Sequence, residues 1–376
     1  MAATMAAIME ITENIMRRMR EPSTKLHNAL YFMSGMMVVI LALVIVAGVK
    51  TKAENAGFHI TDDTENSYEQ QVAGQTDTTQ DSGQEKWQEG VVAYQGKEYL
   101  YNTDIKTYLM MGVDIDGPVQ QSSDYTQGGQ SDALFLLVVN NKTEQLQVIS
   151  INRNTMADIE LCDEEGIDMG PLKTQICLQH AFGDGKRLSC SKTVDAVSGL
   201  FQNIPISGYL AMNMGGIPQM NDAVGGVEVT VQQDISFPKA GVNLKKGQKV
   251  TLNGTQAYYY LHGRDTEEYD SATKRLQREE QYIVAYMDKL KKVSTENPDQ
   301  VTEIYNSVSD YLVTSVDFTS MIEQLMNYGF SEDQMYTVPG KTVEGKPIDG
   351  KRYEEYHVDE DAMEELIMKV FYTPVQ

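Results

Sequence analysis

The chain of 376 residues carries 31 Lys and Arg against 54 Asp and Glu, a formal charge of -23, and 41% of it is apolar. That length and apolar content suit one large or two ordinary domains with a real core. The acidity excludes a broad grip on nucleic acid, which needs a basic surface to neutralise phosphates. With 3 Cys and 5 His, the chain is no disulfide-stapled miniprotein, and no Cys/His cluster has zinc-site spacing.

Residues 29–49, ALYFMSGMMVVILALVIVAGV, contain no charge. At 1.5 Å per residue the run spans roughly 30 Å, the thickness of a bilayer core. A cleaved signal peptide has a shorter apolar region and a shorter leader, so the run predicts a signal anchor that stays. Arg17, Arg18, Arg20 and Lys25 precede it, while acidic residues dominate soon after Lys50 and Lys52. Basic flanks remain in the cytoplasm. The expectation is therefore a single-pass cell-membrane protein with a cytoplasmic tail, 1–28, and an extracellular C-terminal part. Residues 50–90 are rich in Thr, Asp, Gln, Glu and Gly and predict a flexible linker.

From residue 91 the pattern becomes that of a folded domain, expected over 91–374. LMMGVD (109–114) and ALFLLVVN (133–140) are continuous apolar runs, and QLQVISI (145–151) alternates. Such runs predict strands with at least one buried face, and NNKTE between the last two reads as a hairpin loop. SKTVDAVSGLF (191–201) predicts a helix, capped by Ser189 or Ser191. YLAMN (209–213) reads as a strand, 217–226 as a helix closed by glycine, and VEVTV (227–231) as a strand. Asn253 is placed to cap a short helix, and a long helix follows at about 272–293. Further helical patterns lie near 298–310, 317–328 and 359–371, with strands near 334–338 and 354–358. Alternating strands and helices predict an α/β layered domain.

Four clusters bear on chemistry. Asp114 ends the first apolar strand, Asp116 follows, and Asp132 opens the second. Carboxylates at adjacent strand ends can share a hard cation that also bridges phosphate oxygens, although strand-end Asp is also common in ordinary turns. As a lone strand-end carboxylate, Asp132 is expected to add little to stability. Arg153 closes the third strand in SINRNT and suits either a bidentate phosphate or a surface carboxylate. His262 and Arg264 follow the short helix, and Arg275 and Arg278 lie one turn apart on the long one. Outside the cell, the separation of Cys177 and Cys190 suits a disulfide, with Cys162 left over; two free buried thiols are the alternative.

Taken in order, GVD, SD, the strand ending in NRNT, NDAVGGVEV, LNGTQAYYYLHGR and the Arg-bearing helix resemble the LytR-CpsA-Psr family. The resemblance covers about 105–292, and the family's usual C-terminal extension covers much of 293–374. It implies a layered α-β-α extracellular domain behind one transmembrane helix. The implied activity is transfer of an anionic glycopolymer, of teichoic acid or capsule type, from a polyprenyl-pyrophosphate carrier to a peptidoglycan hydroxyl. By the same resemblance, Asp114 and Asp132 become ligands for Mg²⁺ (or Mn²⁺), Arg153 and Arg264 pyrophosphate clamps, and Arg275 and Arg278 the lining of the head-group pocket. His262 stands where the family often has Arg; in that pocket a pyrophosphate would favour its protonated form. The family also often has Arg at the position of Gln130, Pro and Asp at those of Asn152 and Asn154, and Gln at that of Glu279. Depletion of the basic set leaves a second possibility, a non-catalytic binder of polyprenyl phosphates or wall polymer that regulates envelope assembly. Nucleic acid is not an expected partner.

Overall fold

The computed structural model describes residues 91–263, 269–297, 299–317, 327–345 and 353–375. The expected cytoplasmic tail, membrane anchor and linker lie outside the described residues, as do Arg264 and most of the helical pattern near 317–328. Among the described residues no helix is long and apolar enough to cross a membrane.

After a hairpin of Val91–Tyr94 (β1) and Lys97–Tyr101 (β2), the apolar runs form Ile105–Val113 (β3), Ser131–Asn140 (β4) and Gln145–Ile151 (β5). β4 pairs antiparallel with both β3 and β5. Alternate side chains of β4 feed two cores. Leu134, Leu136 and Val138 enter one, and Phe135, Leu137 and Val139 the other. Burial on both faces explains why these strands read as unbroken apolar runs rather than alternating ones.

Met156–Cys162 (β6) and Asp168–Gln175 (β7) make a separate hairpin. The helix Arg187–Leu200 (α1) begins earlier than its apolar spacing predicts. Its cap is neither serine: Asp184 Oδ1 accepts from the backbone N–H groups of Lys186 (2.8 Å), Leu188 (3.1 Å) and Ser189 (3.3 Å). Gly208–Asn213 (β8) runs parallel to β3, as a crossover through a helix requires. Ile217–Ala223 (α2) leads through Gly225 and Gly226, with φ of +76° and +83°, into Val227–Thr230 (β9). That left-handed turn is the task glycine suits. Ile235–Phe237 (β10), Val242–Leu244 (β11) and Lys249–Leu252 (β12) complete small hairpins.

Gly254–His262 (α3) carries the capping box its sequence predicts. Asn253 Oδ1 accepts from Gln256 N at 2.9 Å, and Gln256 Oε1 accepts from Asn253 N at 3.1 Å. Ser271–Glu296 (α4) and Gln300–Val308 (α5) cover one sheet face with α2 and α3. Then come Leu312–Thr314 (β13), Met335–Thr337 (β14), Gly340–Glu344 (β15), Glu354–Val358 (β16), Glu360–Phe371 (α6) and Tyr372–Pro374 (β17). α1 and α6 cover the opposite face. The six-stranded sheet has the order β13-β8-β3-β4-β5-β14, so its two outer strands both come from the C-terminal extension. β17 pairs with β2. The result is the layered α-β-α arrangement, with the extension built into it.

Candidate active site

The strand ends at one edge of the layers carry the polar cluster. Asp114 follows β3, where a register irregularity at Gly112 and Val113 turns the chain. Its Oδ1 accepts from Gln130 N at 2.6 Å, and its own N–H donates to Gln130 O at 3.0 Å. Gly215 makes room for the next turn: a Cβ there would lie 1.7 Å from Asp116 O. Asp116 Oδ1 in turn accepts from Tyr258 Oη at 2.6 Å.

Asp132 is the centre of the cluster. Its carboxylate lies 2.8 Å from Arg153 through Oδ1 and 2.8 Å from Arg275 through Oδ2, and Arg275 also donates to Asp132 O at 2.8 Å. Asp132 and Arg275 are both buried. The expectation that Asp132 adds little to stability is therefore overturned, because it neutralises two guanidiniums held away from water. Arg153 also donates to Gln130 Oε1, and its guanidinium lies 3.1 Å from Cys177 Sγ.

Arg275 Nε is 3.3 Å from Glu279 Oε1, one helical turn on. Burial pushes the Glu279 carboxyl up to about 7, opposed by Arg275 and reinforced by Asp132. Burial likewise raises Asp114, with Asp132 adding to the effect and the backbone N–H of Gln130, Arg153 and His262 opposing it. His262 is held below its usual value, first by burial and then by Arg275, with Asp132, Asp116 and Asp114 pulling the other way. The shift disfavours the cation that a substitute for Arg would supply. Its Nδ1 is buried without a hydrogen-bond partner.

Arg278 is also engaged by backbone. It is fully buried, its Nε donates to Tyr260 O at 2.7 Å, and it also donates to Gly263 O. These are carbonyls at the C-terminal end of α3, where a cation is favoured by the helix dipole. Arg278 therefore positions the turn that carries His262. The structure brings Asp114, Asp132, Arg153, Arg275 and His262 together. It adds Glu279 and the Asp116–Tyr258 pair, to which sequence reasoning gave no role.

The cysteine pairing is corrected. Cys162, Cys177 and Cys190 are all free and buried. Cys177 turns toward Arg153, while Cys190 Sγ lies 3.7 Å from His180 Nε2. Burial pushes the two thiols up to about 11 and about 12.

Beside the cluster a cavity of about 230 Å³ opens between the sheet and helices α2–α5. Methionines 110, 111, 212, 214, 220 and 287 supply much of its apolar wall, and Tyr282 and Tyr286 stand on α4. His262 and Glu279 are the lining residues that border the charged cluster. A divalent cation finds one ready carboxylate here. Asp114 is exposed and would suit a Mg²⁺ shared with substrate phosphates. Asp132 fits only by releasing an arginine. Among the described residues no three His, Cys, Asp or Glu side chains gather as a metal site.

A family model described as the LytR_cpsA_psr family matches residues 61–370. Among curated relatives, the polyisoprenyl-teichoic acid–peptidoglycan teichoic acid transferase TagU of Enterococcus faecalis is 30% identical over 231 residues, 61% of this chain and 67% of that protein. Biofilm regulatory protein A of Streptococcus mutans is 26% identical over 242 residues, 62% of this chain and 55% of its own length. The crystal structure of B. subtilis TagV superposes with a TM-score of 0.55 at 21% identity, covering 72% of this chain and 96% of that one. That last likeness is one of fold.

Proposed function

Because the chain belongs to the LytR_cpsA_psr family, we propose that it is a glycopolymer–peptidoglycan phosphotransferase. It would take an anionic polymer from a polyprenyl-pyrophosphate carrier and attach it to a hydroxyl of peptidoglycan. The observation that carries this reading is the junction of an apolar cavity with a buried arginine cluster. An isoprenoid chain needs the first, and a pyrophosphate needs the second. The teichoic acid transfer for which the E. faecalis relative is named supports the same reading.

In this reading the lipid lies between the sheet and α4, with its phosphates at the His262 and Glu279 end. The acceptor oxygen attacks the phosphorus bearing the polymer, and the bond to the lipid phosphate breaks. Arg153 and Arg275 stabilise the charge that develops on the phosphoryl and leaving oxygens. Arg264, outside the described residues, is assigned to the same phosphates by the family resemblance alone. Mg²⁺ or Mn²⁺, held by Asp114 together with the substrate phosphates, would supply further charge neutralisation. The reaction takes place outside the cytoplasm, on a chain anchored by 29–49 and spaced by 50–90.

The test is the full chain in detergent with a lipid-linked oligosaccharide and peptidoglycan fragments. Product that requires the divalent cation is expected. Both arginines already neutralise Asp132 in the resting site, an observation that favours the second reading, a non-catalytic polyprenyl-phosphate or wall-polymer binder. Tight lipid binding without product selects that alternative.

A further inference from the structure

The buried cluster is already neutralised by its own groups. Arg153 and Arg275 face the carboxylates of Asp132, Glu279 and Asp114. Arg278 is engaged by the carbonyls of Tyr260 and Gly263. With Glu279 ionised, the described residues of the cluster leave no net positive charge over for an incoming phosphate.

A phosphate that contacts Arg275 competes with Glu279 for the same guanidinium. Asp132 is held through both oxygens and by a neighbouring arginine as well, whereas Glu279 meets Arg275 through a single longer contact of 3.3 Å. Glu279 is therefore the group displaced. A buried carboxylate without its counter-ion is costly and resolves the cost by taking a proton. We propose that Glu279 is a further binding residue of the phosphate site, which takes up one proton when the phosphate end of an isoprenyl pyrophosphate enters. Protonated, its carboxyl presents one donor and one acceptor, the hydrogen-bonding pattern of a glutamine side chain.

The surroundings agree. Arg275 and Arg278 face Glu279 from its own helix, Asp132 from β4, Glu280 is adjacent, and His262 shares the cavity end from α3. Burial already places the Glu279 carboxyl close to protonation in the free protein. The inference rests on the proposed reading in taking its ligand from it.

The full chain in detergent is titrated calorimetrically with farnesyl pyrophosphate at pH 8, in buffers of differing ionisation enthalpy. Wild type should take up close to one more proton per ligand than Glu279→Gln. Between pH 8 and 9 its affinity should fall about tenfold more than that of the variant, as one linked proton dictates. Equal uptake, or parallel affinity curves, overturns the inference and leaves the functional reading standing. If Glu279→Gln does not fold, a ligand-minus-free infrared difference spectrum of wild type decides: a new carboxylic-acid C=O band at pH 8 supports the inference, and its absence overturns it. Failure of wild type to bind at any pH overturns the functional reading and the inference together.

Discussion

Replacing Asp132 by Ala should destabilise the fold as well as abolish transfer. The side chain is buried against Arg153 and Arg275, each 2.8 Å away. Its removal leaves Arg275 with Glu279 and Arg153 with Gln130 and the Cys177 thiol. Breaking a buried ion pair by deleting one partner costs about 3–5 kcal/mol, because the remaining charge stays out of water. For a domain of this size each kcal/mol moves the midpoint by about 2–4 °C, so a fall of about 10 °C is expected. Asp132→Asn keeps the shape and one acceptor, so its loss should be smaller. Thermal unfolding followed by circular dichroism measures both. An Ala variant within about 2 °C of wild type would falsify the claim that Asp132 holds the arginines.

Three further outcomes follow from particular groups. Glu279 titrates at about 7 when folded, against about 4.3 unfolded. The folded state holds that proton more tightly, so stability falls as pH rises through this window, by about 2–3 kcal/mol between pH 5 and 8, and Glu279→Gln should remove that difference in urea unfolding at the two pH values. Alkylation of the denatured, unreduced protein from its native host should add three adducts by mass, since all three cysteines are free; one adduct would restore the disulfide. A reporter fused after residue 60 should be active only outside the cytoplasm, and cytoplasmic activity would reverse the assigned topology.

The sheet was legible because apolar runs at 109–114, 133–140 and 145–151 have few other ways to bury both faces. One site contact, unread in the sequence, was within reach once the hairpin register was known. Counted back in strict register from the Asn140–Gln145 pair, Asp132 falls opposite Arg153. The approach of Arg275 was not, since it spans 143 positions and depends on how α4 crosses the sheet. The carbonyl partners of Arg278 were not legible for the same reason: its spacing from Arg275 shows one helix face, while those carbonyls lie at the end of a different helix. The cysteine pairing failed because separation along the chain says nothing about which way each thiol turns. Glu279 was noticed only as a departure from the family pattern. Its role needed the cavity wall, which appears in the fold and not in the local sequence.

The placement of the two outer strands bears on how the protein is made. β3, β4, β5 and β8 are complete by residue 213, but the strands that cover β8 and β5 end at residues 314 and 337. A chain emerging N-terminus first therefore presents a four-stranded sheet with two bare edges until its last quarter arrives. Such edges pair readily with other strands. Truncation after α4, which retains every described residue of the charged cluster, should yield an aggregating product rather than a minimal enzyme.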